Sequence, residues 1–274
     1  MIADQEAAEA AYDAGQWALG ARRWRELAAR SDGANGAAAL YQAACCHARD
    51  GRPDDAFVAL HDALAADVVA IDRLTTDPDL ATLRDDGRWT ALMTHAQTRF
   101  DEWEQKLGAP ALRRELLALM HEDQAARAAW LADPDSLRAA DMLAAVDAKT
   151  TARMRQVVAT HGWPGWRLVG RDGARAAWLL VQHADRDVEF QAGCLARLTD
   201  AVARGDAAAA DAAYLHDRLA VARGEPQRYG TQFDAQLRPQ PIEDEARIDE
   251  RRRSVGLGSL LEYTRHMHRQ YRKA

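Results

Sequence analysis

Long apolar runs, cysteine pairs and cofactor signatures are all missing from this chain. No apolar run reaches the roughly 18 residues that a membrane-spanning helix needs, so no membrane partner is expected. Of the three cysteines, Cys45 and Cys46 are neighbours. Adjacent cysteines rarely bridge, so the thiols read as small, reduced packing residues and not as a disulfide framework. Only eight prolines occur in 274 residues, with 48% hydrophobic and 28% charged side chains, which excludes a disordered chain. Phenylalanine numbers four and Ile and Val are sparse. What remains is rich in Ala and Arg and favours helix over sheet. There is no Walker loop, Rossmann glycine fingerprint, CxxC pair, HExxH or GxSxG, so no nucleotide cofactor is expected. A net charge of −6 and a pI near 5.9 weigh against nucleic acid and membrane surfaces as partners. The opening stretch has no basic segment followed by an apolar one, unlike a signal peptide. A soluble, cytoplasmic protein is expected.

The length suits one large domain or two ordinary ones, and the pattern divides at residues 1–105 and 109–274. The first part opens with two helical hairpins. Placing Gly15 on Gly51 puts Gly20 on Ala56, Trp24 on Leu60 and Leu27 on Ala63, an offset of 36 residues. Small residues fall where paired helices would cross. Between them, residues 37–46 supply the second helix of the first pair, and Asp77-Pro78 starts a short closing helix. The segment resembles tetratricopeptide repeats, whose period is near 34 residues. That resemblance implies either a groove for a protein or peptide partner or a helical cap packed on the larger domain.

In the second part, amphipathic helices are expected at about 109–133 and 136–160, the latter ended by Gly162-Trp163-Pro164. Three more follow at roughly 172–185, 187–204 and 206–223, and a last pair occupies about 244–272, with Gly256 and Gly258 at the join. Residues 224–241 break the helical period and read as a short β-hairpin or structured loop. The expected fold is all-α.

Polar side chains interrupt the apolar stripes of these helices. Asp123 falls between Leu119 and Ala126 on the face that also carries Leu112 and Leu116, with Gln124 beside it and Arg127 one turn on. His183 lies four residues after Leu179, with Gln182 before it and Asp185 at the helix exit. Gln191 interrupts the line Val188, Leu195, Leu198, Val202. Asp217 interrupts Ala210, Tyr214, Val221, and Arg218 flanks it. A buried polar group costs roughly 1–3 kcal/mol unless paired, and the exception recurs in helix after helix. Each could be a hydrogen bond that fixes helix register; together they point to a shared polar site. Tyr229, Thr231 and Gln232 offer a phenol, a hydroxyl and an amide on the loop, and Arg251 or Arg252 could turn inward as an anion partner. One imidazole and two carboxylates, His183, Asp123 and Asp217, suit a divalent metal, although no local spacing supports it. Cys194 reads as core.

These segments, in this order, resemble an uncharacterised, mostly bacterial family catalogued as a domain of unknown function (number 6624). The residues that carry the likeness are Glu122-Asp123-Gln124 with Arg127, Gly162-Trp163-Pro164, and Trp178 with Gln182-His183-Ala184-Asp185. They continue with Phe190-Gln191, Tyr214 with Asp217-Arg218, Gln227 with Tyr229-Gly230-Thr231-Gln232, and Asp249 with Arg251-Arg252. The likeness covers roughly residues 110–265. This chain departs from the pattern at Thr150-Thr151, where members carry an Asn before the threonine. The resemblance implies that the polar residues belong to the family pattern and supplies no activity.

The residues lead to two expectations. In the first, an interhelical pocket binds a small polar or peptidic ligand and acts on it by acid/base hydrolysis or group transfer. His183 is then the acid or base, oriented by Asp217 or Asp123, because a base needs a partner that fixes its tautomer. Gln124, Arg127, Gln182, Asp185, Gln191, Arg218, Tyr229, Thr231, Gln232, Arg251 and Arg252 would bind and orient the ligand. In the second, the polar set is a structural network in a non-catalytic interaction protein whose repeats recruit a partner.

Overall fold

The computed structural model describes residues 2–31, 33–67 and 71–271. The fold is all-α: regular structure among the described residues is helical, with two isolated bridges and no strand. No helix among them is long and apolar enough to cross a membrane. The chain forms two compact units, residues 1–106 and 107–274.

The first unit comprises α1 (Ile2–Asp13), α2 (Trp17–Ala28), α3 (Gly33–Arg49), α4 (Pro53–Ala66), α5 (Ile71–Thr76), a 3-10 turn at Pro78–Leu83 and α6 (Trp89–Glu104). Asp77 caps the 3-10 turn through the Asp79 amide, as its Asp-Pro sequence requires. The turns after α1 and α3 are built alike. Gly15 and Gly51 sit at φ +69° and +68°, a left-handed conformation that glycine adopts without Cβ strain. Gln16 N donates to Ala11 O and Arg52 N to His47 O; Gly15 N donates to Tyr12 O and Gly51 N to Ala48 O. Every donor and acceptor of one turn thus recurs 36 residues later in the other. Trp24, Leu27, Leu60 and Ala63 are all buried.

The second unit comprises α7 (Pro110–Ala132), α8 (Leu137–His161), α9 (Trp166–Gln182), α10 (Val188–Ala203), α11 (Ala209–Ala222), a 3-10 turn at Glu245–Arg247, α12 (Ile248–Ser254) and α13 (Leu260–Tyr271). Start signals are read off the sequence: Pro110 opens α7, Ser136 Oγ caps α8 through Ala139 N, and Asp187 caps α10 through Phe190 N. A short helical turn over residues 166–169 is set off from the rest of α9 by Gly170, whose φ +71° and ψ 171° are not helical. The main body of α9 starts after Gly170, about where the periodicity places it. Leu116, Met154, Leu180, Leu198 and Leu215 are fully enclosed in the core among these helices. Two polar ties brace α9. Arg113, buried on α7, reaches both oxygens of Asp172 at 3.0 and 3.1 Å, and Trp178 Nε1 donates to Asp211 O at 2.8 Å.

The segment between α11 and α12 is a structured loop without strand ladders, carrying the bridges Gln227 with Ile242 and Phe233 with Pro239.

Candidate functional site

Asp123 lies on the buried face of α7 with no solvent exposure. His183 is the first residue beyond α9 and follows its last turn. The two meet across 60 positions of sequence. Nδ1 of His183 lies 2.8 Å from Asp123 Oδ2 and 3.0 Å from Oδ1. Arg127, one turn along α7, places Nε 2.8 Å from that same nitrogen and 3.2 Å from Asp123 Oδ1, and its Nη2 donates to Asp147 Oδ1 at 2.6 Å.

Neutral imidazole nitrogens either donate or accept, never both. Nδ1 therefore holds a proton for Asp123 or a lone pair for Arg127. Both oxygens of the wholly buried Asp123 carboxylate lie at 2.8 and 3.0 Å from Nδ1, against a single nitrogen of Arg127, which also bonds Asp147 and Asp123, so we place the proton on Nδ1. That assignment leaves Nε2 as the basic nitrogen, and it has no hydrogen-bond partner among the described residues. Burial pushes the Asp123 carboxyl up, but the His183 hydrogen bond and charge, Gln124 and Arg127 outweigh it and hold the group below its ordinary value. Asp147 goes the other way. Burial raises it, Arg127 opposes and nearby Asp123 reinforces the rise.

His183 and Asp147 line one pocket of about 290 Å³. One wall is a single face of α8: Ala144, Asp147, Ala148, Thr151, Ala152 and Arg155. The other is the turn that carries His183, Ala184, Arg186 and Asp187. Thus an imidazole backed by a buried carboxylate and a second carboxyl group share a cavity, the elements of proton transfer to or from a bound molecule.

Gln191 positions this turn. Its Nε2 donates to the carbonyls of Val181 and Gln182 at 3.0 and 3.1 Å, closing the end of α9 just before His183. Gln182 is buried beside it, and its Nε2 has no partner among the described residues. Arg218 grips Asp185 with two bonds of 2.6 and 2.7 Å. Gln124 Nε2 donates to Asp123 Oδ2 at 2.8 Å.

The remaining expected residues gather elsewhere in the unit, which corrects three expectations. Asp217 is not a partner of His183. Its carboxylate accepts the backbone amides of Arg228, Tyr229 and Thr231 at 2.8–3.1 Å and the Thr231 hydroxyl at 3.0 Å. A loop with unpaired amides surrounds it and saturates its oxygens. For the same reason His183, Asp123 and Asp217 do not form a metal-ligand set. Arg251 and Arg252 are engaged chiefly by backbone carbonyls, with Asp244 Oδ2 3.9 Å from Arg251, and neither is left open for a bound anion. Arg252, only 1% exposed, donates to Gly258 O and Tyr229 O at 2.6 Å each. Arg251 donates to Arg228 O, Asp244 O and Glu243 O. Gln232 and Thr231 are tied to each other and to Gln227 and Asp217. Tyr229 packs edge-on against His216.

Among the described residues, three metal-ligating side chains converge only at Cys45, Asp77 and Asp79 in the first unit. There Tyr41 donates to Asp77 at 2.9 Å and Tyr12 donates to Asp79. Cys194 is enclosed, and burial pushes its thiol up to about 12, so it is core and no nucleophile.

Sequence reasoning missed Asp147, Thr151, Arg155, Arg186 and Asp187. They look like an ordinary solvated surface. Their signal is the spacing Asp147, Thr151, Arg155 beside Ala144, Ala148, Ala152, a polar line next to a small-residue line on one helix face.

Residues 110–273 match the model of a family described as a family of unknown function (DUF6624). The chain belongs to this family. The match spans α7 to the C-terminal helix, so the His183 pocket and the Asp217 loop both lie within the DUF6624 region. No curated protein and no solved structure matches the chain.

Proposed function

We propose that the DUF6624 unit binds a small polar or peptidic ligand in the pocket between α8 and the turn before α10, and acts on it by acid/base chemistry. The observation that carries this reading is the Asp123–His183 pair opening onto that cavity with Nε2 unengaged. His183 takes up or delivers a proton at Nε2. Asp123 orients the ring and stabilises it when charged. Asp147, whose carboxyl is raised, is the complementary proton carrier. Hydrolysis or another group transfer using water fits these groups, and the protein is read as soluble, cytoplasmic and bacterial.

A screen of neutral and charged polar fragments against the full chain, followed by amide and His183 ring resonances, tests the proposal. Hits are expected to move His183, Asp147 and Thr151. Hydrolysable hits are expected to turn over with wild type and not with His183→Ala. Hits confined to another cleft of this unit, lined by His216, Thr199 and Arg223, would sink it.

The repeated turn bonding of the first unit supports a second reading, a tetratricopeptide-like module that recruits a protein partner. The satisfied Asp217 loop fits the scaffold alternative for that part of the molecule.

A further inference from the structure

The pocket beside His183 has a cationic mouth that proton transfer does not use. We infer that the site takes small organic anions. A carboxylate or phosphate headgroup lies between Arg155 and Arg186, and the remainder of the molecule runs over the alanines towards His183. This rests on the pocket reading above and narrows it to one ligand class.

Arg155 is held in place from two sides. It is paired with Asp187, and its guanidinium lies 4.9 Å from the centre of the Phe190 ring. The other oxygen of Asp187 accepts Phe190 N at 3.1 Å. That carboxylate is therefore engaged at both atoms, while a guanidinium has five N–H donors and Arg155 uses one on it. Arg186, three residues beyond His183, lines the same pocket and makes no hydrogen bond or ion pair with any described residue. By contrast Arg127, Arg218, Arg251 and Arg252 all have partners.

Between the mouth and His183 lies Thr151. Its helix neighbour Thr150 bonds Asp147 O. The Thr151 hydroxyl bonds no described residue and is available to a ligand oxygen. Ala144, Ala148, Ala152 and Ala184 contribute only methyl surface. The two carboxylates of the pocket, Asp147 and Asp187, each already hold a guanidinium, so a cationic ligand finds no uncommitted counter-charge. An anion finds Arg186. A volume of about 290 Å³ is at the small end for ligand pockets.

The test titrates the full chain with N-acetylglycine, inorganic phosphate and the neutral N-acetylglycinamide. The readouts are the arginine Nε–H, His183 ring and 184–187 amide resonances. At least one anion is expected to shift all three sets saturably, and added salt should weaken it. Which anion does so separates carboxylate from phosphate. N-acetylglycinamide is expected to bind at least about tenfold more weakly, and Arg186→Gln to weaken the anion about tenfold through loss of a charge-assisted contact. The variant's melting temperature should match wild type. Equal binding of the amide, or no effect of R186Q, would overturn the anion assignment and leave the pocket reading standing. If neither anion moves the pocket resonances, the assignment is also overturned, while the fragment screen judges the pocket separately.

Discussion

Asp123 and Asp217 are both fully buried, each on the apolar stripe of a helix, yet their surroundings differ in kind. Asp217 is surrounded by main-chain amides of one loop, which it gathers around α11. Asp123 is met by side chains, Gln124, Arg127 and His183, and the last of these opens onto a cavity. A carboxylate saturated by backbone donors fixes a shape. One held by a titratable ring with a free second nitrogen can pass charge outward. Burial alone does not separate the two roles; the identity of the donors does.

The sharpest way to break this comparison is to remove each carboxylate and measure denaturant stability. Asp217→Ala should cost the most, about 3–5 kcal/mol, because it leaves several buried donors unsatisfied at once. Faster hydrogen exchange at the 228–231 amides should accompany it. Asp123→Asn should cost less, about 1–3 kcal/mol, since Arg127 keeps Asp147 and His183 can change tautomer. Equal losses would erase the distinction. His183→Ala should change stability least, by about 1 kcal/mol or less, as expected of a group held for chemistry.

Acid titration sharpens the contrast within the pocket. The Asp123 carboxyl is held below its ordinary 3.8, so the folded state binds its proton less readily than the unfolded chain. Its stabilising contribution is complete above 3.8 and disappears as pH falls through the lowered value. Asp147 is raised from 3.8. Its contribution is complete below 3.8 and is lost as pH rises through the raised value. Asp123→Asn should therefore flatten the stability profile below pH 3.8 and Asp147→Asn just above it. The reverse pattern would refute the assignment of the two groups.

Much of the helical frame was legible because each helix carries its apolar stripe and its own start or stop signal, as with Pro110, Ser136, Asp187 and Gly162. The polar interruptions were legible for the same reason. What the stripes could not reveal was which interruptions would meet. Asp123 and Asp217 look identical in a periodicity, and only the crossing of α7 with the end of α9 assigns His183 to the former. Asp147, Thr151, Arg155 and Arg186 were hidden by being polar on a surface, where polarity is ordinary. Arg252, offered by the sequence as an inward anion partner, does turn inward, but towards a loop of carbonyls that surrounds it.

The turn from His183 to Asp187 is closed by Ala184 N on Val181 O and Asp187 N on Ala184 O. The basic nitrogen, the unpaired cation and the cap of the next helix therefore lie on five consecutive residues, with no slack between them. Such a turn acts as a ruler: main chain alone sets the separation of the backbones of His183, Arg186 and Asp187. Inserting one residue would detach Asp187 from its capping position on α10, so the spacing from His183 to that cap is written in the size of this turn.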